Sequence, residues 1–464
     1  MIDINFIHKA NPDGEMLLKS ILLAFPSVTS REIPSLHDTF LSINIQGPAS
    51  SVKRVVNSPT AQANCRDRET MRKILSLNGL SLRRPSRESI RYYDFLLFDL
   101  YTISVRQTVR AWGKKQVNYL RERNCFLAAE TAKRAMYHMG LDYALVRVAP
   151  VGNKQYIVIN IDPSPSHVRA KDLDRLMMRL KRLHEKDPEM IQETQVKMGA
   201  DPEFMLFHSR SGRMIAASEF FPRHGRVGYD NLRNPIQRQH PIAEIRPHPS
   251  VSPLVLADNV KAALLSAARM APYRNIKWVA GSQPSRGFAI GGHIHFSKVK
   301  LNFALLRTLD NFLAIPIFLI ENPLSAVRRR RRYGTLGNFR TKSYGGFEYR
   351  TLGSWLVSPE ITRGVLCLAK IVVSHYLEFS ENYLVQPAAQ RAFYHGNQEY
   401  FRPVFHEIWS KICSTAMYQE YAGELAPIHA MIQNGECWDE KLDLRQTWKM
   451  TGRFKRTYQP RTIL

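Results

Sequence analysis

The stretch GADPEFMLF, residues 199–207, decides the fold of the central part of the chain. Read as a strand, its side chains alternate between faces, so Asp201 and Glu203 project to the same side about 7 Å apart. Two carboxylates that close repel each other at neutral pH unless a cation or protonation offsets them. Hard oxygen donors of this kind suit Mg2+ or Mn2+. A solvent-facing acidic pair at a strand edge would account for the same residues. From about residue 195 the chain turns to short strands, Gly/Pro turns and clustered polar residues. This predicts an antiparallel sheet with helices on one side, the apolar helical stretches 254–270 and 301–320 being the covering helices.

Three further segments share the character of the first. In HPIAEIRPHPS, residues 240–250, Glu244 offers another carboxylate and Arg246 a planar fork for phosphate or carboxylate; a surface Glu–Arg pair is the alternative. In IGGHIHFS, residues 290–297, His293 and His295 lie two apart, hence on one face, after a Gly-Gly that permits close backbone approach. Imidazole suits Mn2+ or Zn2+ and also bonds phosphate oxygens, though an HxH pair is as readily structural. In RRRRRYGTLGNFRTKSYGGFEYRTLGSW, residues 328–355, Glu348 and Arg350 again sit two apart on a strand, behind Arg328 to Arg332, Arg340 and Lys342. A run of arginines reads as a solvated helix end or a nucleic-acid patch. The glycines and the Glu-x-Arg downstream favour a phosphate-handling loop, because arginine stabilises a transferring phosphoryl group.

Working outward, residues 1–60 mix strand-like runs (4–7 and 40–45) with an amphipathic stretch from Gly14 to Ala24. DRETMRKILSLN, residues 67–78, is predicted as a helix with Asp67 as N-cap and Gly79 at its end. A basic stretch, SLRRPSRESIR, leads into the apolar run 93–100. A second helix over 124–139 precedes two strands, 143–148 and 156–161, and a charged helix over 171–185 closes the first domain. The domains expected are 1–190, 191–375 and 376–464, the last mostly helical with a basic tail, GRFKRTYQPRTIL.

Bulk properties bound the partners. A chain of 464 residues with a formal charge of +26 attracts polyanions: nucleotides, nucleic acid, anionic cell-wall polymers or an acidic membrane surface. The five cysteines are odd in number and lack CxxC spacing, which argues against a disulfide scaffold or structural zinc and fits a reducing cytoplasm. No secretory signal opens the sequence. The most apolar stretch, 312–320, is interrupted by a proline and falls short of the roughly 20 residues that span a bilayer. No recognised nucleic-acid module is present, so nucleic acid is not the expected partner.

In their order, the four segments resemble the amidoligases of the glutamine synthetase and glutamate–cysteine ligase superfamily, in particular the phage-type COOH–NH2 ligases. The resemblance covers roughly residues 196–360. It implies an α+β fold: a glutamine synthetase-like antiparallel sheet covered by helices, lining a cleft that holds ATP and divalent ions, Mg2+ or Mn2+. By motif, Asp201, Glu203, Glu244, His293 and Glu348 match metal ligands. His295, Arg332, Arg340 and Lys342 fall to ATP and phosphate, and Arg350, Arg246 and Arg340 to the reacting charges. Asp201 stands where the family more often has glutamate, one methylene longer. The implied activity is an ATP-dependent ligase joining a carboxylate to an amine through an acyl phosphate, with peptides, cell-wall material or other surface polymers among its substrates. A basic nucleic-acid-binding protein and a metal-dependent hydrolase are the alternative readings.

The N-terminal third resembles ATP-grasp proteins. NSPTAQANCRDRETMRKILSLNGLSLRRP is similar to their passage between subdomains, and AAETAKRAMYHMGLDYALVRV with YIVINIDPSP to their metal-binding strands. Asn160 and Asp162 stand where an active member has Glu-x-Asn, and only ~20 residues separate Asp99 from the next helix. The resemblance therefore implies a reduced ATP-grasp-like domain that is structural or positions substrate.

Overall fold

A computed structural model describes residues 2–35, 37–47, 53–83, 91–111, 114–152, 154–165, 168–185, 195–234, 238–450, 452 and 454–459. Parts of the basic stretches 81–91 and 452–464 lie outside the described residues, as does the end of the first expected domain. The protein is α+β. It divides into two compact units, one of residues 1–190, 302–304 and 380–391, the other of 191–301, 305–379 and 392–464.

The first unit carries two sheets. Strands β1 (Asp3–Lys9), β2 (Val28–Pro34), β3 (Thr39–Ile45) and β4 (Lys53–Val56) order as β2-β3-β1-β4, with β4 parallel to β1. Strands β5 (Arg91–Phe98), β6 (Tyr101–Ala111), β7 (Lys114–Leu120), β8 (Tyr143–Pro150) and β9 (Tyr156–Asp162) order as β7-β6-β5-β8-β9, wholly antiparallel. The short span after Asp99 is thus the β6–β7 hairpin. Helix Arg68–Leu77 starts as predicted: the Asp67 carboxylate accepts from the amides of Glu69 and Thr70. A single buried side chain ties these segments together. Asn57, at φ 59°, donates from Nδ2 to the carbonyls of Tyr143 (2.7 Å) and Pro163 (3.0 Å). Its Oδ1 accepts from the amides of Asp142 (2.9 Å) and Tyr143 (3.0 Å). Asparagine is among the few non-glycine residues at ease in the left-handed region.

In the second unit, β10 (Lys197–His208), β11 (Met214–Ile215), β12 (Val227–Tyr229), β13 (Ile242–Ile245), β14 (Ile276–Val279), β15 (Gly292–Ser297), β16 (Phe339–Thr341) and β17 (Phe347–Tyr349) form one sheet. Its order is β12-β13-β10-β15-β17-β16, with β11 and β14 also pairing to β10. Every pairing is antiparallel. Met198, Ala200, Phe204, Ala243, Ile245, Ile294, Phe296, Phe347 and Tyr349 are buried. Helix Pro253–Met270, capped by the Ser252 hydroxyl accepting from the Val255 amide, packs against β10, β12 and β13. Helix Pro359–Ser374 packs on it in turn, and helix Tyr418–Asn434 on that. The helices after residue 391 therefore belong to the same unit as the sheet.

The apolar helical stretch expected over 301–320 is present. It forms a continuous helical span, Phe303–Ile320, of 18 residues, long and apolar enough to cross a membrane by composition, with 89% of it buried inside the fold. Pro316 does not break it, because a π-helical turn at Leu309–Ala314 precedes the proline and absorbs the mismatch.

Asn57→Ala removes four buried hydrogen bonds and strands two amides and two carbonyls. A loss of ~2–4 kcal/mol is expected, measured as a lower urea midpoint at unchanged slope; a midpoint equal to wild type would remove Asn57 from this role.

Candidate functional site

The site is built by sheet register. Opposite Gly199 of β10 lies His295 of β15, opposite His295 lies Glu348 of β17, and opposite Glu348 lies Arg340 of β16. Two residues along β10, Asp201 faces His293. Two further along, Glu203 faces Glu244 of β13, which faces Gly228 of β12. Because side chains repeat every two residues, these three rows lie on one side of the sheet, opposite the buried apolar set.

Within this strip the polar atoms are close. The Asp201 Oδ1 atom lies 3.0 Å from His295 Nε2 and 3.3 Å from His293 Nδ1. Glu348 Oε1 lies 3.4 Å from His293 Nδ1 and 3.4 Å from Arg350 Nη1. Its Oε2 lies 2.5 Å from Lys342 Nζ and 3.7 Å from Arg340 Nη1. Arg246 Nη2 donates to Glu244 Oε2 at 2.6 Å. A Cβ on Gly228 would sit 2.3 Å from Arg246 Nη1, so only glycine leaves room for that guanidinium.

The carboxyls differ by surroundings. Burial opposes ionisation of Asp201, but the imidazoles of His293 and His295 beside it outweigh that and hold the carboxyl well below the usual range. Burial pushes Glu203 well above that range, helped by the charge of Asp230 and, less, of Glu244 and Asp201, although the Gly291 amide donates to its Oε2 at 2.6 Å. Burial and the Asp201 charge push Glu244 up to about 8 against the opposing Arg246. Several acids sharing one small region, two of them held toward the neutral form, is the arrangement a cation relieves.

Of the residues singled out by sequence, Asp201, His293, His295, Arg340, Lys342, Glu348 and Arg350 meet in one cluster, and Glu203, Glu244 and Arg246 form the adjoining row. Arg332 does not join them: it is exposed in the turn after helix Pro323–Arg330, and no described contact links its side chain to the cluster. The helical period turns its neighbours inward instead. Arg329 is buried and donates to the carbonyls of Ile290 (2.8 Å), Thr351 (2.6 Å), Leu352 (2.6 Å) and Arg350 (3.2 Å). Arg330 is buried against the Glu321 carboxylate and the rings of Phe318 and Phe393. Two tyrosines escaped the sequence reading. Tyr333 Oη contacts His293 Nε2 at 2.8 Å and accepts from Arg350 Nη2, and Tyr344 Oη lies 3.2 Å from His295 Nδ1. Both stand inside the arginine-rich segment, but nothing in spacing marks a tyrosine as polar support rather than core.

Asp201, His295 and Glu348 each bring a ligand atom within 4.8 Å of the others. Asp201 Oδ1, His295 Nε2 and Glu348 Oε2 are also buried without a hydrogen-bond partner; Lys342 Nζ touches Glu348 Oε2 without hydrogen-bond alignment. Unsatisfied buried donors and acceptors are costly. Two oxygens and one imidazole nitrogen fit Mg2+ or Mn2+. The trio includes His295, assigned to phosphate by sequence, and not His293.

A helix-backed antiparallel sheet with acids, imidazoles and guanidinium groups on its other face defines an α+β protein whose site handles charged groups. The chain belongs to the phage phiEco32-like COOH.NH2 ligase-type 2 family, whose model matches residues 198–450. No curated protein matches it. Among solved structures, a bifunctional glutathione synthetase from Pasteurella multocida aligns at TM-score 0.36 and 11% identity, over 58% of this chain and 53% of that one. The ATP-grasp ligase PsnB, solved with a minimal precursor, aligns at TM-score 0.25 and 12% identity, over 38% of this chain and 99% of that one. The chain thus spans about half the length of that synthetase.

A Cβ on Gly291 would sit 2.1 Å from His293 Nε2. Gly291→Ala is expected to cost about 1–3 kcal/mol and to move the His293 ring signals in an NMR spectrum while sparing those of His208; unmoved His293 signals would refute the contact.

Proposed function

We propose that the second unit is an ATP-dependent carboxylate–amine ligase with a glutamine synthetase-like sheet. The observation that carries this reading is the single polar strip formed by Asp201, Glu203, Glu244, His293, His295, Glu348, Arg340 and Arg350 in a chain of a COOH.NH2 ligase family. In the first step an oxygen of the substrate carboxylate attacks the γ-phosphorus of ATP, the bond to the bridging oxygen breaks, and ADP leaves with that electron pair. In the second, the amine attacks the carbonyl of the acyl phosphate, the carbon–oxygen bond to phosphate breaks, and an amide, inorganic phosphate and a proton are released.

Arg350, held by Glu348 and Tyr333, is oriented to meet the charge of the transferring phosphoryl group. Arg340 and Lys342, beside Glu348, add positive charge at the same end of the strip, and Arg246 at the other end suits the substrate carboxylate. Asp201, His295 and Glu348 would hold a divalent ion, with Glu203 and Glu244 available to a second. Bound Mg2+ or Mn2+ supplies charge neutralisation of the triphosphate. Peptides and anionic surface polymers suit a chain of net charge +26 as substrates. In this reading the first unit is a reduced ATP-grasp-like domain: Asp162 of β9 serves a turn, accepting from the Ser164 amide at 3.0 Å.

The test is ADP release over mixed carboxylate and amine pools with Mg2+ or Mn2+. Glu348→Ala is expected to lower the amine-dependent rate by about a hundredfold or more with an unchanged circular-dichroism spectrum. A rate equal to wild type would remove Glu348 from the mechanism.

A further inference from the structure

The five-stranded sheet of the first unit has two unlike faces. Phe95, Val105, Val146 and Val148 alternate onto one of them and are buried, and helix Phe126–His138 packs against β5, β8 and β9. On the other face, helix Ala170–His184 meets the start of β6: Ser104 donates to Asp172 Oδ2 at 3.2 Å, and Arg179 lies over the Tyr101 ring. Beyond that end, register sets Tyr119 of β7, Arg106 of β6, Asp94 of β5, Arg147 of β8 and Asn160 of β9 in one row. Further along the same face, Arg110 of β6 lies opposite Lys115 of β7. This part is open. Tyr119 is 49% and Val117 44% exposed, and Arg110, Lys115 and Asn160 are exposed too.

Its charges do not balance. Asp94 is the one carboxylate among these residues and is already engaged: Arg147 donates to it at 2.6 and 3.1 Å, and Arg106 Nη2 stands 4.0 Å away. Like charges directly opposite each other on a sheet are destabilising, as Arg110 and Lys115 are. An anion lying over the row relieves that repulsion. Two arginines are also braced in a particular way. Arg147 lies 4.4 Å from the centroid of the Tyr92 ring, and Arg169, at the start of helix Ala170–His184, 3.8 Å from that of Tyr119. A guanidinium stacked flat keeps its N–H edge for planar two-oxygen acceptors. Single-stranded nucleic acid would instead use bare aromatic faces for its bases, and each of these rings gives a face to an arginine.

We propose that this open face, built from Arg106, Arg110, Lys115, Arg147 and Arg169 on their tyrosine supports, is a docking surface for an extended acidic peptide. Residues two apart on an extended peptide repeat every ~7 Å, the same step that separates side chains along β6 and β7, so carboxylates at alternate positions meet successive cations. That the peptide is also a substrate of the ligase site rests on the reading above; its binding here does not.

The experiment uses the full chain, without ATP or metal, and two fluorescent probes of matched charge: an oligoglutamate peptide and an oligothymidylate. Fluorescence anisotropy should show the peptide bound more tightly than the oligonucleotide, with an affinity that falls as salt rises. The double variant Arg110→Glu, Lys115→Glu changes only exposed side chains and should weaken peptide binding by roughly tenfold or more, with an unchanged circular-dichroism spectrum. Arg210→Glu with Arg213→Glu removes the same charge from an exposed turn of the second unit and should leave peptide binding near wild type. Equal weakening in the two double variants would show that net charge alone attracts the peptide, and overturns the proposal. So does an oligothymidylate that binds more tightly than the peptide, or a peptide that does not bind. Peptide binding as expected without ADP release in the ligase assay would instead count against the ligase reading alone.

Discussion

The register between β10, β15 and β17 is the constraint on which the rest of the second unit depends. A one-residue slip would turn His293, His295 or Glu348 toward the helices and bring Ile294 or Phe347 out. Several contacts prevent it from the apolar side and the strand ends. Ser354 Oγ donates to the Glu203 carbonyl at 2.6 Å, and Trp355 Nε1 to the Gly292 carbonyl at 2.9 Å. The Arg329 guanidinium joins the carbonyl before β15 to three after β17. A buried arginine is an expensive way to satisfy carbonyls, and burial brings its pKa down to about 10. Its planar fork reaches four acceptors in two segments at once, which a neutral side chain of that length cannot do.

That rigidity has an electrostatic purpose. Gathering acids on one face is unfavourable unless each is offset, and the strip offsets them unevenly. Glu348 is ringed by Lys342, Arg340 and Arg350, and Asp201 by two imidazoles. Glu203 takes its hydrogen bond from a backbone amide and Glu244 from one arginine, and both are pushed toward the neutral form. The strip is thus graded from a cation-rich end near β16 to an acid-rich end near β12. A ligand carrying both metal ions and phosphates matches such a gradient better than a plain polyanion, which the acidic end would repel.

Much of this was legible in the sequence because the period of a strand is two. Asp201/Glu203, His293/His295 and Glu348/Arg350 each announce a shared face by spacing alone, and the Gly-Gly before His293 announces close approach. The order of these motifs carried the antiparallel sheet and its covering helices. Spacing cannot say which strand lies beside which, so the contacts that differ between the histidines, Tyr333 on His293 and Tyr344 on His295, stayed hidden. Nor can it distinguish Tyr333 from a core tyrosine such as Tyr349, whose hydroxyl is also used, donating to buried Asp310 at 2.7 Å. The helical span 303–320 was legible from its apolar residues, but the π-helical turn that accommodates Pro316 has no sequence signature.

The arginine run shows the same limit most sharply. Five consecutive identical residues carry no internal pattern, so composition alone reads them as one patch. Laid on a helix that ends at Arg330, they separate by angle: Arg329 and Arg330 turn into the protein, Arg328, Arg331 and Arg332 out of it. The inward pair is held by things far away in sequence, carbonyls near Ile290 and Leu352 for one, Glu321 with two phenylalanine rings for the other. A Cβ on Gly334 would lie 2.0 Å from Arg329 Nη1, and that glycine sits at φ 73°. The chain can leave the helix past the buried guanidinium only by way of a residue with no side chain and a left-handed backbone. That turn carries Tyr333 to His293, so the arginine that braces the strands also fixes where the tyrosine must stand.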